Sequence, residues 1–256
     1  MNSLLYALDF DGVLCDSAQE TGLAGWLAAG RLWPGFSGSP QPELLDAFRR
    51  VRPALETGYE AVLIMRLLKQ GYSAETLLAD YAGHLQQALA ATGMSQEALK
   101  QAFAQTRDRW IAEQPEQWLA LNPLFPGVVE TLRTLRQLGP CYLVTTKQAR
   151  FAQRILAGQG VDWPMSEIFG LERKLPKTAL LRELQAAYPG HVIHFLEDRL
   201  AALLSVKACP ELAGVALYLA DWGYNTESER GQARQADIAV ISLLAWHRWA
   251  DAAPTQ

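Results

Sequence analysis

The sequence predicts an α/β protein in which a parallel, Rossmann-like sheet is interrupted early by an all-helical insert. Short apolar runs recur at "LLYAL", "CYLVTT", "HVIHFLE", "VALYLA" and "DIAVIS". They are continuous rather than alternating, as strands covered on both faces require. Helix-like stretches separate the later runs, the alternation expected of an α/β fold. By contrast, roughly a hundred residues after the first run hold no strand-like segment.

In chain order, "LLYAL" is the first strand, and it ends in Asp9, Asp11 and Gly12 within "LDFDGVLCDS". The stretch from about residue 18 to 121 then puts apolar residues at helical spacing in "PELLDAFRRV", "YEAVLIMRLLKQG", "SAETLLADYAGHLQQAL" and "SQEALKQAFAQTRDRWIAEQ". Ser73 and Ser95 are expected N-caps, with Glu75 and Glu97 in the first turns, and Gly71 and Gly93 are expected stops. The α/β pattern returns near "NPLFPGVVE". Helices are expected at 128–138, 148–157 and 178–187, ending respectively at Gly139 and Pro140, at Gly158, and at Pro189 and Gly190. The expected organisation is therefore an α/β core from residues 1–16 and 122–256, with a helical insert at 17–121 and a loose tail, "DAAPTQ".

The 256 residues are 50% hydrophobic and 20% charged, enough to form a packed core. A net charge of -4 argues against a nucleic-acid partner. Cys15, Cys141 and Cys209 stand apart, with neither disulfide nor zinc spacing. No apolar run approaches the roughly 20 residues of a membrane span. A cytoplasmic protein without a membrane partner is the expectation.

Ligands of an open parallel sheet bind beyond the carboxyl ends of its strands. Asp9 and Asp11, Thr145 and Thr146, Glu197 and Asp198, and Asp221 all fall at such ends, while Lys174 and Lys177 lie in "LERKLPKTALL" before a helix. Two carboxylates one residue apart repel each other and call for a positive partner between them. Carboxylates, a hydroxyl and a lysine on one edge suit Mg²⁺ and a phosphoryl group.

These segments resemble, in order and spacing, the haloacid dehalogenase-like hydrolase superfamily with a helical C1-type cap, in its phosphoglycolate phosphatase-like form. "LDFDGVLCDS" resembles the first motif, "LVTTK" the second, "LERKLPKTALL" the lysine motif and "HFLEDR" the acidic fourth motif, while "FPGVVETL" is similar to the point of re-entry into the core. The resemblance implies a Mg²⁺-dependent phosphatase for a small phosphorylated metabolite. Asp9 would be the nucleophile that forms an aspartyl-phosphate, and Asp11 the general acid and base. Thr145 would bind a phosphoryl oxygen, and Lys177 would hold Asp9 ionised. The metal would sit on Asp9, the Asp11 backbone carbonyl and Asp198.

Two positions depart from the family pattern. Glu197 stands where a glycine is usual, with Ala201 and Ala202 where a second aspartate is common, so Glu197 supports the metal directly, through water, or not at all. Lys177 is favoured over Lys174 as the motif lysine because it follows Pro176 and immediately precedes the helix. Asp11 argues against dehalogenation, since halide needs no protonation. It also argues against the rival reading, a degenerate regulatory or assembly module without turnover. His194 reads as a core histidine. In the insert, Arg52, Glu56, Tyr59 and Glu60 are candidates for substrate selection, while Trp222 and Tyr224 in "DWGYNTESER" read as either packing or site residues.

Overall fold

The computed structural model describes residues 3–249, so the "DAAPTQ" tail lies outside the described residues. The chain divides into two compact units, Met1–Asp16 with Pro123–Gln256, and Ser17–Asn122.

The first unit is built on a parallel sheet of six strands among the described residues: β1 (Ser3–Leu8), β2 (Cys141–Val144), β3 (Ile168–Phe169), β4 (His191–Glu197), β5 (Ala216–Ala220) and β6 (Ala239–Ile241). Their order is β3-β2-β1-β4-β5-β6. Five of the strands coincide with the apolar runs. β3 was not expected, because a two-residue strand carries no periodicity of its own. The helices Val128–Leu138, Ala149–Gly158 and Lys177–Ala187 fall within a residue of expectation.

Burial on both faces accounts for the unbroken apolar runs. On one face Leu5, Ala7, Ile193, Phe195 and Leu219 pack with Leu180, Leu181 and Leu184 and with Leu200, Leu203 and Val206 from the helix Leu200–Lys207. On the other, Tyr6, His194, Tyr218 and Trp249 form an aromatic cluster with ring centroids 4.5–6.2 Å apart. His194 is a packing residue. It shares a 3.1 Å hydrogen bond with the Tyr218 hydroxyl, and burial lowers its pKa.

The second unit is helical throughout. Ser73 and Ser95 cap their helices through Thr76 N and Ala98 N, and Gly93 ends a helix in the left-handed region at φ 66°. "SAETLLADYAGHLQQAL" forms two helices, Ala74–Ala79 and Tyr81–Thr92, rather than one. Asp80 between them has φ -146° and caps the second helix by accepting from Gly83 N. The core of this unit buries Glu20 completely, and its carboxylate is satisfied by Arg107 Nε and Nη2 at 2.8 Å each and by Trp118 Nε1 at 2.9 Å.

Within this unit Glu60 is also fully engaged: Oε1 accepts from the Thr57 hydroxyl, and Oε2 accepts from Glu56 N and the Tyr81 hydroxyl, both at 2.8 Å. Tyr59 is buried and its hydroxyl accepts from Gln96 Nε2. These contacts give Glu60 and Tyr59 internal structural roles, and Arg52 is buried in a short 3-10 turn. No helix among the described residues is long and apolar enough to cross a membrane.

Candidate active site

The strand order places β1 between β2 and β4, so the chain fills one side of β1 and then crosses to fill the other. A crevice for ligands opens at such a reversal, beyond the carboxyl ends of the strands. The register Leu8 opposite Leu143 and opposite Leu196 sets Asp9, Thr145 and Glu197 around the same edge. Asp9 N donates to Leu196 O at 2.9 Å, which fixes the level of β1 against β4.

Ligand oxygens of Asp9, Glu197 and Asp198, all buried, lie within 4.8 Å of one another. Three carboxylates this close in a desolvated site need compensating charge. Lys177, the first residue of its helix, supplies some of it: its Nζ donates to Asp9 Oδ1 at 2.6 Å and also to Glu197 Oε2. Burial foremost, then Glu197, pushes the Asp9 carboxyl up to about 7 against the pull of Lys177. Burial alone would lower the Lys177 ammonium, yet Asp9 and Glu197 together raise it above the ordinary lysine range. Lys174 lies elsewhere: it is exposed and sits in the left-handed region at φ 52°.

The other Glu197 oxygen, Oε1, accepts from Asp198 N at 3.2 Å and Arg199 N at 3.0 Å. Both Glu197 oxygens are thus committed, which makes it an anchor for Lys177 and for the turn after β4. Asp198 is held differently. Its Oδ2 accepts from Tyr224 N at 2.7 Å, and its carbonyl accepts from Asn225 Nδ2 at 3.0 Å. Gly12, at φ 85°, and Gly223 form a cradle around it: a Cβ on Gly12 would strike the Asp198 carboxylate, and one on Gly223 would lie 2.6 Å from Gly12 O. A hard divalent cation fits a donor set of two buried aspartates and nearby main-chain carbonyls.

Asp11 is paired separately. Lys147 Nζ donates to Asp11 Oδ1 at 2.9 Å and Oδ2 at 3.3 Å. The adjacent Thr145 is buried, and its Oγ1 accepts from Lys147 N at 3.1 Å, whereas Thr146 is exposed. Lys147 is the main residue that sequence reasoning missed. It stands inside the quoted "LVTTK", and the available signal was a lysine three residues beyond an otherwise apolar strand. The "DWGYN" loop, singled out in the sequence with its role left open between packing and site, is fixed by its polar side chains. Tyr224 OH donates to Asp16 Oδ1 at 3.0 Å, Trp222 Nε1 donates to Val13 O at 3.0 Å, and Asn225 Nδ2 reaches Ala220 O at 2.8 Å. The loop therefore laces β5 to the segment after Asp11. Asp221 is exposed and stands outside the carboxylate group.

A parallel α/β sheet with charged groups gathered at its switch point is a fold that solved structures share. The chain is similar over 98% of its length to a predicted phosphoglycolate phosphatase from Haemophilus somnus 129PT, covering 98% of that chain at 20% identity and a TM-score of 0.64. It is also similar to a predicted phosphatase from Clostridium acetobutylicum (14% identity, 97% and 98% covered, TM-score 0.57). A haloacid dehalogenase-like family hydrolase from Streptococcus pneumoniae is similar as well (16% identity, 94% of each chain, TM-score 0.57). At these identities the likeness is one of fold. No curated protein matches. Residues 5–209 match the haloacid dehalogenase-like hydrolase family, and the chain belongs to it.

Proposed function

We propose that this hydrolase is a Mg²⁺-dependent phosphatase that cleaves a small phosphorylated metabolite through an aspartyl-phosphate on Asp9. The observation that carries the reading is the pairing of Asp9 and Asp11 with two different lysines, Lys177 and Lys147, on one sheet edge. A nucleophile and a proton carrier need separate electrostatic settings, and this arrangement supplies them.

In this reading an Asp9 oxygen attacks phosphorus while Asp11 gives a proton to the departing oxygen of the substrate alcohol. Asp11 then takes a proton from the water that attacks the aspartyl-phosphate, which releases inorganic phosphate, frees the Asp9 carboxylate and returns Asp11 to the protonated form in which it began. Lys177 keeps Asp9 anionic for attack and offsets charge on the transferring group, and the Thr145 hydroxyl donates to a phosphoryl oxygen. Asp9, Asp198 and the Asp11 carbonyl would hold Mg²⁺, which when bound screens the repulsion between nucleophile and phosphate. The 17–121 unit would be the helical insert that selects the substrate. Three solitary cysteines support a cytoplasmic setting.

The phosphatase names of similarly folded proteins support this reading. The test is release of inorganic phosphate from a panel of phosphomonoesters, with and without Mg²⁺. Turnover that requires Mg²⁺ and disappears in Asp9→Asn is expected. Equal turnover in that variant would overturn the assignment.

A further inference from the structure

We propose that Lys147 is a phosphate-binding residue, which gives up its ion pair with Asp11 and donates to a phosphoryl oxygen when the substrate enters. The proposal rests on the phosphatase reading above and adds a contact that the motifs did not assign.

Charge at the site motivates it. Asp11 pairs with Lys147, and Asp9 and Glu197 share Lys177, so both ammonium groups at this edge are already engaged by carboxylates. A phosphomonoester dianion approaching this edge needs a cation that can turn towards it. Lys177 is held between two carboxylates, Asp9 and Glu197, and cannot leave without stranding both. Lys147 is placed otherwise, since among the described residues its one carboxylate partner is Asp11. The two contacts fall on the oxygens of that single group, while an ammonium has three donors.

Accessibility points the same way. The Lys147 side chain is 4% exposed and that of Asp11 22%, so the pair is open on its Asp11 side, where an anion could enter. The Lys147 main chain is fixed, its N–H donating to Thr145 Oγ1 at 3.1 Å and its carbonyl accepting from Leu171 N at 3.0 Å. Its Nζ lies 5.8 Å over the Phe10 ring. A pinned backbone and a confined stem leave the ammonium head as the part free to change partner. Asp11 acts as a stand-in anion for the lysine until the substrate replaces it.

Three variants test this, each read by calorimetric titration with inorganic phosphate in the presence of Mg²⁺ and by kinetics on a small phosphomonoester. Lys147→Met should weaken phosphate binding and raise KM, each by about tenfold or more, with a smaller loss in kcat. Lys147→Arg should recover most of the binding. Asp11→Asn removes the competing carboxylate and should tighten phosphate binding severalfold although turnover falls. This arm stands even if Lys147→Met fails to fold. Phosphate affinity within twofold of wild type in both Lys147→Met and Asp11→Asn would overturn the proposal and leave Lys147 as a support for Asp11. A wild-type protein that hydrolyses no phosphomonoester would instead overturn the phosphatase reading on which it rests.

Discussion

Replacing Lys177 by Met would leave Asp9 and Glu197 facing each other without their shared cation. The lysine side chain is 14% exposed, and those of Asp9 and Glu197 are 7% and 1% exposed, so water cannot take its place. Removing one partner of a buried ion pair costs about 3–5 kcal/mol. For a protein of this size each kcal/mol moves the melting temperature by about 2–4 °C, so Lys177→Met should lower Tm by about 6–20 °C. The origin of the loss is repulsion between stranded carboxylates, so Glu197→Gln made in the Lys177→Met background should cost less than it does alone. The coupling should be about 1–3 kcal/mol by a double-mutant cycle in denaturant. Added Mg²⁺ should stabilise Lys177→Met more than wild type, because the cation meets a site short of positive charge. A Tm within 2 °C of wild type, or strictly additive effects of the two substitutions, would refute this account of the site's electrostatics.

Asp11→Asn should reduce kcat on an alkyl phosphate by about a hundredfold or more. The release of p-nitrophenol from its phosphate should fall less, since that alcohol leaves without a proton; initial rates on the two substrates decide. Burial holds the Asp9 pKa above its unfolded value, near 7 in the metal-free protein. This carboxyl therefore favours the fold at low pH, and the contribution is lost as pH rises from about 4 through 7. Mg²⁺ competes with that proton, so its thermal stabilisation should be larger at about pH 8 than at about pH 5, and Asp198→Asn should abolish it at both. Gly12→Ala forces a side chain into the left-handed region and against Asp198, and should remove most of the Mg²⁺ response; thermal scans with and without the metal measure it.

Much of the fold was legible because its strands are buried on both faces and its helices end at Gly or Pro. Ser73, Ser95 and Gly93 do in three dimensions what their residue types favour in any chain. β3 escaped because two residues cannot show a period. The break at Asp80 escaped because the apolar spacing runs through it, and only a local cap distinguishes two helices from one. At the site, Asp9, Lys177, Glu197 and Asp198 stand at strand or helix ends, which are readable positions. The partnership of Lys147 with Asp11 joins residues 136 positions apart. Only the register of β1 against β2 brings the two together. Likewise, the Tyr224 main-chain N–H that holds Asp198 has no side-chain signature at all.

The central claim is that Asp9 carries the phosphoryl group, and acid quenching during turnover tests it most directly. Asp11→Asn, supplied with Mg²⁺ and p-nitrophenyl phosphate, should accumulate the intermediate, because the leaving group needs no proton while the attacking water has lost its base. Mass spectrometry of the quenched, digested protein should then find one added phosphoryl group on the peptide containing Asp9, and none in the Asp9→Asn, Asp11→Asn double variant. A phosphoryl group on any other residue, or phosphate release from the double variant at the rate of Asp11→Asn alone, would contradict the account.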